Sequence, residues 1–258
     1  MAWTTESRWN GVLVLLAVFP LWELLSRAKL LHPLFFPPMT RILRALGEIM
    51  LSGNLPGHIV ASLQRAAAGY FLAAAVFITL GILMGYWQRL YNLFELVIEL
   101  ARPVPPPALI PVAILFFGIG NEMKVFIIFF SCAWPILINT IDGVRGVDRV
   151  LVNTALTFGL GRFELIRKII IPAASPYIMT GLRISVAISL ILVVISEMVG
   201  STDGIGYFIL NAQRSFEIPE MYAGMIVLAA LGYTLNRVFV LVDGRLMGWH
   251  KGLTARLR

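Results

Sequence analysis

Few residues of this chain could do chemistry, and those that could stand in unusual places. Glu95, Glu99 and Arg102 lie in an otherwise apolar stretch. Glu95 and Glu99 are four apart and Arg102 is three beyond Glu99, so on a helix they share one face. Glu197 stands near the end of another apolar run, VVISEMVG, and Asn139 inside a third. Charge at membrane depth is costly, so such groups face protein or a water-filled path and tend to be paired. Two uses are open for Glu99 and Arg102: an internal ion pair in a kinked helix, or a moving or pore-lining element. Glu197 has the same choice between structural pairing, loop organisation and a place on a path. Asp203, in GSTDG, reads as a turn residue. Asn139, Ser131 and Ser196 offer hydrogen bonds between spans or to a solute, and Glu23 and Arg237 read as path or helix-contact groups. Arg183 is expected to snorkel from a span boundary toward water.

Nothing in this set is arranged to break bonds. The chain has no GxxxxGK[ST] loop to hold phosphate. His32, His58 and His250 are scattered, no His, Cys or acidic cluster has metal-site spacing, and no Ser-His-Asp motif occurs. Cys132 is the only cysteine, so it forms no intramolecular disulfide and reads as a small packing residue. No catalytic residue, cofactor or metal is expected in this chain.

A second group of residues interrupts the apolar pattern. Residues 142–175, DGVRGVDRVLVNTALTFGLGRFELIRKIIIPAAS, carry five Arg or Lys residues and several glycines. A short helix is expected after Gly159–Gly161, with Leu160, Phe163, Leu165, Ile166, Ile169 and Ile170 on an apolar side. Glu164 falls near its start and Arg167 and Lys168 near its end, which suits the helix dipole. Pro172 is expected to stop or bend it. A second helix is expected over 147–158. A short helix of this kind could project its apolar residues into a groove on a partner.

The elements that must hold these residues are membrane spans. The chain has 258 residues, 59% of them hydrophobic and 14% charged, against about 25% charged in soluble domains. Its mean hydropathy is +0.84. About 20 apolar residues cross about 30 Å of hydrocarbon as a helix, which gives candidate spans at 9–26, 66–85, 91–117, 124–141, 177–200 and 221–242. One membrane domain over 1–258 follows. The first span reads as retained, because Glu6 accompanies Arg8 and no small-residue cleavage site follows. Span 66–85 has a small face of Gly69, Gly81, Gly85 and alanines, suited to close helix contact. Span 91–117 contains Pro103, Pro105, Pro106, Pro107 and Pro111, so no straight helix runs through it. Only FGIGNE separates it from the next span, so the two are expected to pair tightly. Between the first two spans, PPMTRILRALGEIM reads as an amphipathic helix that lies on the membrane or caps the bundle.

The net charge of +7 is a topology signal and an anionic-lipid contact rather than a nucleic-acid footprint. With both ends on one side, that side holds eleven Lys and Arg residues, including those of 142–175. The other holds six: Arg27, Lys29, Arg41, Arg44, Arg65 and Arg214. The bias puts both termini and the polar segment in the cytoplasm.

At this point the sequence resembles a known family, the inner-membrane permease subunits of ATP-binding-cassette importers, in the branch that handles nitrate, aliphatic sulfonates and taurine. The family's cytoplasmic signature opens Glu-Ala-Ala, has glycine four residues later and ends Ile-x-Leu-Pro. Here those positions fall on Asn153, Thr154, Ala155, Gly159, Ile169, Ile171 and Pro172. The first two depart from the pattern and isoleucine replaces leucine. RPVPPPALIPVAILFFGIG at 102–120, SPYIMTGLRISVAISLILVVISEMVG at 175–200 and GIGYFI at 204–209 extend the likeness over roughly 38–242. The resemblance implies an all-α, six-span type I importer permease fold with a cytoplasmic coupling helix. It implies a second permease, most simply an identical copy, two ATPase subunits holding ATP and magnesium, an external or lipid-anchored solute-binding protein, and a bacterial inner-membrane location. It implies a coupling role for Gly159, Phe163, Glu164, Arg167 and Pro172, with Phe163 the apolar plug and Gly159 the turn.

A secondary transporter or a channel would need no ATPase. The first expects coupling-ion groups in broken, repeated halves, and no clear internal repeat is found. A channel could use the glycine-rich and proline-rich segments as a pore, but neither reading explains the basic central segment.

Overall fold

The computed structural model describes residues 17–247 apart from 31 and 33. All regular structure among them is helical, as lipid requires, since each helix pairs its own backbone N–H and C=O groups. In chain order the helices are α1 (17–27), α2 (Met39–Leu51), α3 (Asn54–Tyr86), α4 (Gln88–Ala101), a 3₁₀ turn (Pro106–Leu109), α5 (Ile110–Phe117) and α6 (Asn121–Arg145). They continue with α7 (Arg149–Thr157), α8 (Arg162–Leu165), a π segment (Ile166–Ile170), α9 (Ile171–Met198), α10 (Ile205–Arg214) and α11 (Ile218–Leu246). Four runs among the described residues are long and apolar enough to cross a membrane: α3, α6, Arg162–Met198 and α11. The expected span 9–26 lies in part outside the described residues, and 17–26 of it is helical.

The proline-rich span breaks as its composition requires. α4 and the piece Pro106–Phe117 meet at 90°. Arg145 at the end of α6 lies 3.8 Å above the Tyr91 ring and ties the start of α4 to the bundle.

The core is α3 against α6 against α9. The small face of α3 lets the backbones approach. A Cβ on Gly69, Gly81 or Gly85 would fall 2.6 Å from Ile128, Thr140 or Val144 of α6, respectively. On the other side of α6, a Cβ on Gly181 would lie 2.7 Å from the Pro135 carbonyl. Ser185 Oγ donates to the Cys132 carbonyl at 3.2 Å, and the Cys132 thiol donates back to Ser185 O at 3.4 Å. Cys132 is fully buried, the packing residue expected, with a weak bond besides. Gly81→Leu is expected to cost at least about 1–3 kcal/mol by overpacking, read as a lower thermal midpoint of the purified chain. Gly47→Ala is the control, because Gly47 of α2 has open space around it.

Three expectations are corrected. Asn139, Ser131 and Ser196 do not bond between spans. They donate to Pro135 O, Ile127 O and Val193 O of their own helices, the local carbonyls that short polar side chains reach first. Pro172 does not stop the helix it follows. The chain is helical from Arg162 to Met198, 37 residues without a break. Pro172 sits in the first turn of α9, where its missing N–H is tolerated. The π segment just before it widens the turn that would otherwise bring a carbonyl against its ring. Arg65, counted above only as one of six basic residues on the far side, is buried inside α3.

α2 packs on the bundle and caps it, one of the two expected placements. Its Ile42 and Ala45 are buried, and Leu46 and Ile49 pack with Ile205, Phe208 and Ile209 of α10. Glu23 is a helix-contact group. It accepts from Arg27 Nε at 2.6 Å and from the backbone N–H of Thr40 at 3.1 Å, which joins α1 to the start of α2.

Candidate functional site

Two constellations stand at opposite ends of the Arg162–Met198 helix. At its N-terminal end, Asp148 caps α7 by accepting from Val150 N–H at 2.8 Å. The other end of α7 closes on Gly159, whose φ is +78°. Gly159 N–H bonds Leu156 O at 2.9 Å and Leu160 N–H bonds Ala155 O at 3.1 Å. That double bond pattern is a Schellman stop with glycine in the left-handed position. No atom lies within 4 Å of a Cβ built there, so conformation and not space demands the glycine. Gly159→Ala is therefore expected to cost about 1–2 kcal/mol, and Gly159→Asn clearly less, measured as the thermal stability of the purified chain.

The apolar residues of this segment divide into two sets. Ala155, Leu165 and Ile170 are buried with Val144, Ala174 and Ile178, anchoring α7 and α8 to the ends of α6 and α9. Phe158 and Phe163 are 79% and 74% exposed, and Val150, Leu151 and Leu156 are exposed as well. Glu164 is held at 2.7 Å by Lys168, one turn on, while Arg167 is exposed, with no ion pair among the described residues. Of the residues singled out here by sequence, Gly159 supplies the turn, Phe163 the outward apolar group and Pro172 the root in α9.

In the bent pair, Glu99 and Arg102 are exposed and Glu95 half-buried. Of the two uses open for Glu99 and Arg102, the ion pair does not form among the described residues; an exposed pair of this spacing gains little energy. Asn139 is half-buried where α6 crosses α9, with its Cβ beside Gly181. A groove of about 460 Å³ between α3, α9 and α11, lined by Tyr70, Leu182, Val186, Leu235 and Phe239, is almost wholly apolar. It offers little to a charged solute.

The C-terminal end of the same helix holds a buried ion cluster. Glu197 is 1% exposed and Arg65 7%. Arg65 Nη1 donates to Glu197 Oε1 at 2.8 Å, Ser62 Oγ donates to the same carboxylate at 2.8 Å, and Gly206 N–H donates to Oε2 at 3.0 Å. Arg65 also donates through Nε to Asn121 Oδ1 at 2.7 Å and through Nη2 to Asp203 Oδ1. The Arg65 hydrogen bond holds the Asp203 carboxyl below its usual range. Asp203 is thus a turn residue that also binds a charge. Lys124 is buried nearby and donates to Gly120 O at 3.2 Å. Glu197 is therefore a paired, loop-organising group. Sequence reasoning missed Arg65, Ser62 and His58. Their one signal was that Ser62 and Arg65 sit three apart at the edge of an apolar run, on one helix face.

Comparison with known proteins gives a consistent picture. The family model described as "Binding-protein-dependent transport system inner membrane component" matches residues 77–247. An ABC transporter permease protein so named in Methanocaldococcus jannaschii is 37% identical over 90% of this chain and 88% of its own. The taurine transport system permease protein TauC of Escherichia coli is 30% identical over 92% and 88%. The nitrate import permease protein NrtB of Leptolyngbya laminosa is 35% identical over 74% and 68%. Among solved structures, a chain of the inward-facing MetNI methionine ABC transporter superposes with TM-score 0.65 at 16% identity, covering 73% of this chain and 94% of that one.

Proposed function

The chain belongs to the family of binding-protein-dependent transport system inner membrane components, the permease subunits of ABC importers, and from that premise we propose that residues 142–175 are its docking segment on a separate ATPase. It is a non-catalytic, multi-pass membrane subunit of a transporter that an ATPase drives, and it is related to permeases named for taurine and nitrate. The observation that carries the docking assignment is the outward apolar face of Phe163 and Phe158 at the end of a 37-residue helix. That helix is far longer than the roughly 20 residues a bilayer needs, so its N-terminal turns extend beyond the hydrocarbon. Exposed aromatics on a rooted helix end suit a partner's groove.

In this reading the chain has six spans over 1–258, with both termini and 142–175 on the ATPase side of a bacterial inner membrane. Two copies form the path, two ATPase chains bind ATP and magnesium beneath it, and a binding protein delivers solute from the other side. Gly159 shapes the segment, Phe163 fills the partner's groove, Glu164 and Arg167 flank it, and Pro172 marks its root. The solute is small and of the nitrate, aliphatic sulfonate or taurine type. Glu99 and Arg102, exposed on a broken span, are the charged groups proposed to meet it, with Asn139, half-buried at the α6–α9 crossing, as a polar group.

The complex, purified in mild detergent and reconstituted with its binding protein, tests this. Two permease and two ATPase copies are expected, with flux of taurine, an alkanesulfonate or nitrate only when ATP is present. Flux of any of these through this chain alone, with no ATPase, contradicts the assignment. Arg102→Ala is expected to lower flux about tenfold, the scale of one charged hydrogen bond, with ATPase co-purification unchanged.

A further inference from the structure

Phe163 and Glu197 stand near opposite ends of one helical run of 37 residues. At the usual rise that run is roughly 55 Å long. Its far end is not free. Glu197 is bound there by Arg65 and Ser62 of α3 and by the N–H of Gly206 in α10.

α10 has no side-chain cap of its own. The first N–H groups of a helix need partners, and here three come from other helices. His58 Nδ1 accepts from Gly204 N–H at 3.0 Å, Ser62 Oγ accepts from Ile205 N–H at 2.8 Å, and Glu197 accepts from Gly206 N–H. The carboxylate also lies where the positive end of the α10 dipole favours it. Gly204 has φ +103°, and a Cβ on it would fall on the Glu197 carboxylate. α10 is therefore hung from α3 and α9 by their side chains.

Buried ion groups add little net stability over an apolar filling of the same shape; their best-attested use is to hold one register. Arg65 does that with a planar fork that reaches Asn121 of α6, Asp203 of the loop and Glu197 of α9 together. A lysine ammonium cannot serve that spread. Water reaches the group on the Asp203 side, where the Asp203 side chain is 49% exposed and a pocket of about 220 Å³ is lined by Gln64, Arg65, Asn121 and Asp203.

We propose that Arg65 is a positioning residue that, through Glu197, rivets α10 to the far end of the long helix, so that displacement imposed at Phe163 is delivered to α10. This rests on the docking role proposed above for residues 142–175. The cluster makes α3, α6, α9 and α10 move as one body at that end, and α10 is the element the stroke finally moves.

The test uses the assembled complex. Asn211 of α10 is exposed and Cys132 is buried, so Asn211→Cys gives α10 one reachable thiol. Its labelling by a membrane-impermeant maleimide is timed without nucleotide and in the vanadate-trapped state, and a photocrosslinker at position 163 reports docking in parallel. With Arg65 present the two rates are expected to differ about fivefold or more. In Arg65→Lys the difference is expected to fall within about twofold, with the crosslink to the ATPase retained. An undiminished response in Arg65→Lys overturns the proposal, as does a thiol whose rate never responds to nucleotide. Glu197→Gln, which keeps the shape and loses the charge, is the second variant. If neither variant assembles, the cluster is only a folding requirement and the proposal fails. If position 163 never crosslinks yet Arg65→Lys still abolishes the response, the docking assignment fails and the rivet stands.

Discussion

Glu197→Leu is expected to destabilise the permease by about 3–5 kcal/mol, the cost of removing one partner from a buried ion pair. The reason is local. Glu197 accepts from Arg65, Ser62 and Gly206 N–H in a place almost closed to water. Leucine fills the space but leaves the guanidinium with Asp203 and Asn121 alone, and leaves the Gly206 N–H without an acceptor. Thermal unfolding in detergent reads the loss as a lower midpoint. Adding Arg65→Met to Glu197→Leu is expected to recover most of it, because an apolar pair of similar volume carries no orphan charge. A double variant as unstable as Glu197→Leu alone would show that shape, and not charge, decides this site.

Phe163→Asp is expected to weaken ATPase binding about 30-fold or more, since a central aromatic anchor contributes 2 kcal/mol or above. The fold should survive, because Phe163 is 74% exposed and lies outside the cluster that anchors the segment. Leu165, two residues on, is 2% exposed within that cluster. Leu165→Asp should therefore damage the permease itself. Titration of the ATPase onto nanodisc-held permease, beside the thermal midpoint of each variant, separates the two. Equal loss of stability in both variants would remove Phe163 from the docking role.

Four spans, those over 66–85, 124–141, 177–200 and 221–242, were legible because lipid leaves a chain few options: long apolar runs become helices, and Pro103 to Pro111 breaks a further one. The small face of α3 was legible too, because Gly69, Gly81 and Gly85 have no other use in a helix interior. The effect of Pro172 was not, since a π turn just before it absorbs the ring and lets the helix run on. Nor could periodicity tell Phe163 from Leu165. Both fall in one apolar stretch, and only the packing of Ala155 and Ile170 decides which turns inward. The ion cluster was the largest omission. Arg65 and Glu197 are 132 positions apart, and no local spacing records such a meeting. Asn139, Ser131 and Ser196 went the other way: their nearest acceptors were in their own helices, and a sequence cannot rank local against distant partners.

A single measurement bears most directly on the account: a photocrosslinker placed at position 163 of the intact, purified transporter, with the crosslinked chain identified by mass. A product joining this chain to the ATPase subunit is expected, lost when the exposed Phe158 and Leu156 of the same segment are made charged. Crosslinks only within the permease, from a complex that still holds its ATPase at full stoichiometry, would contradict it.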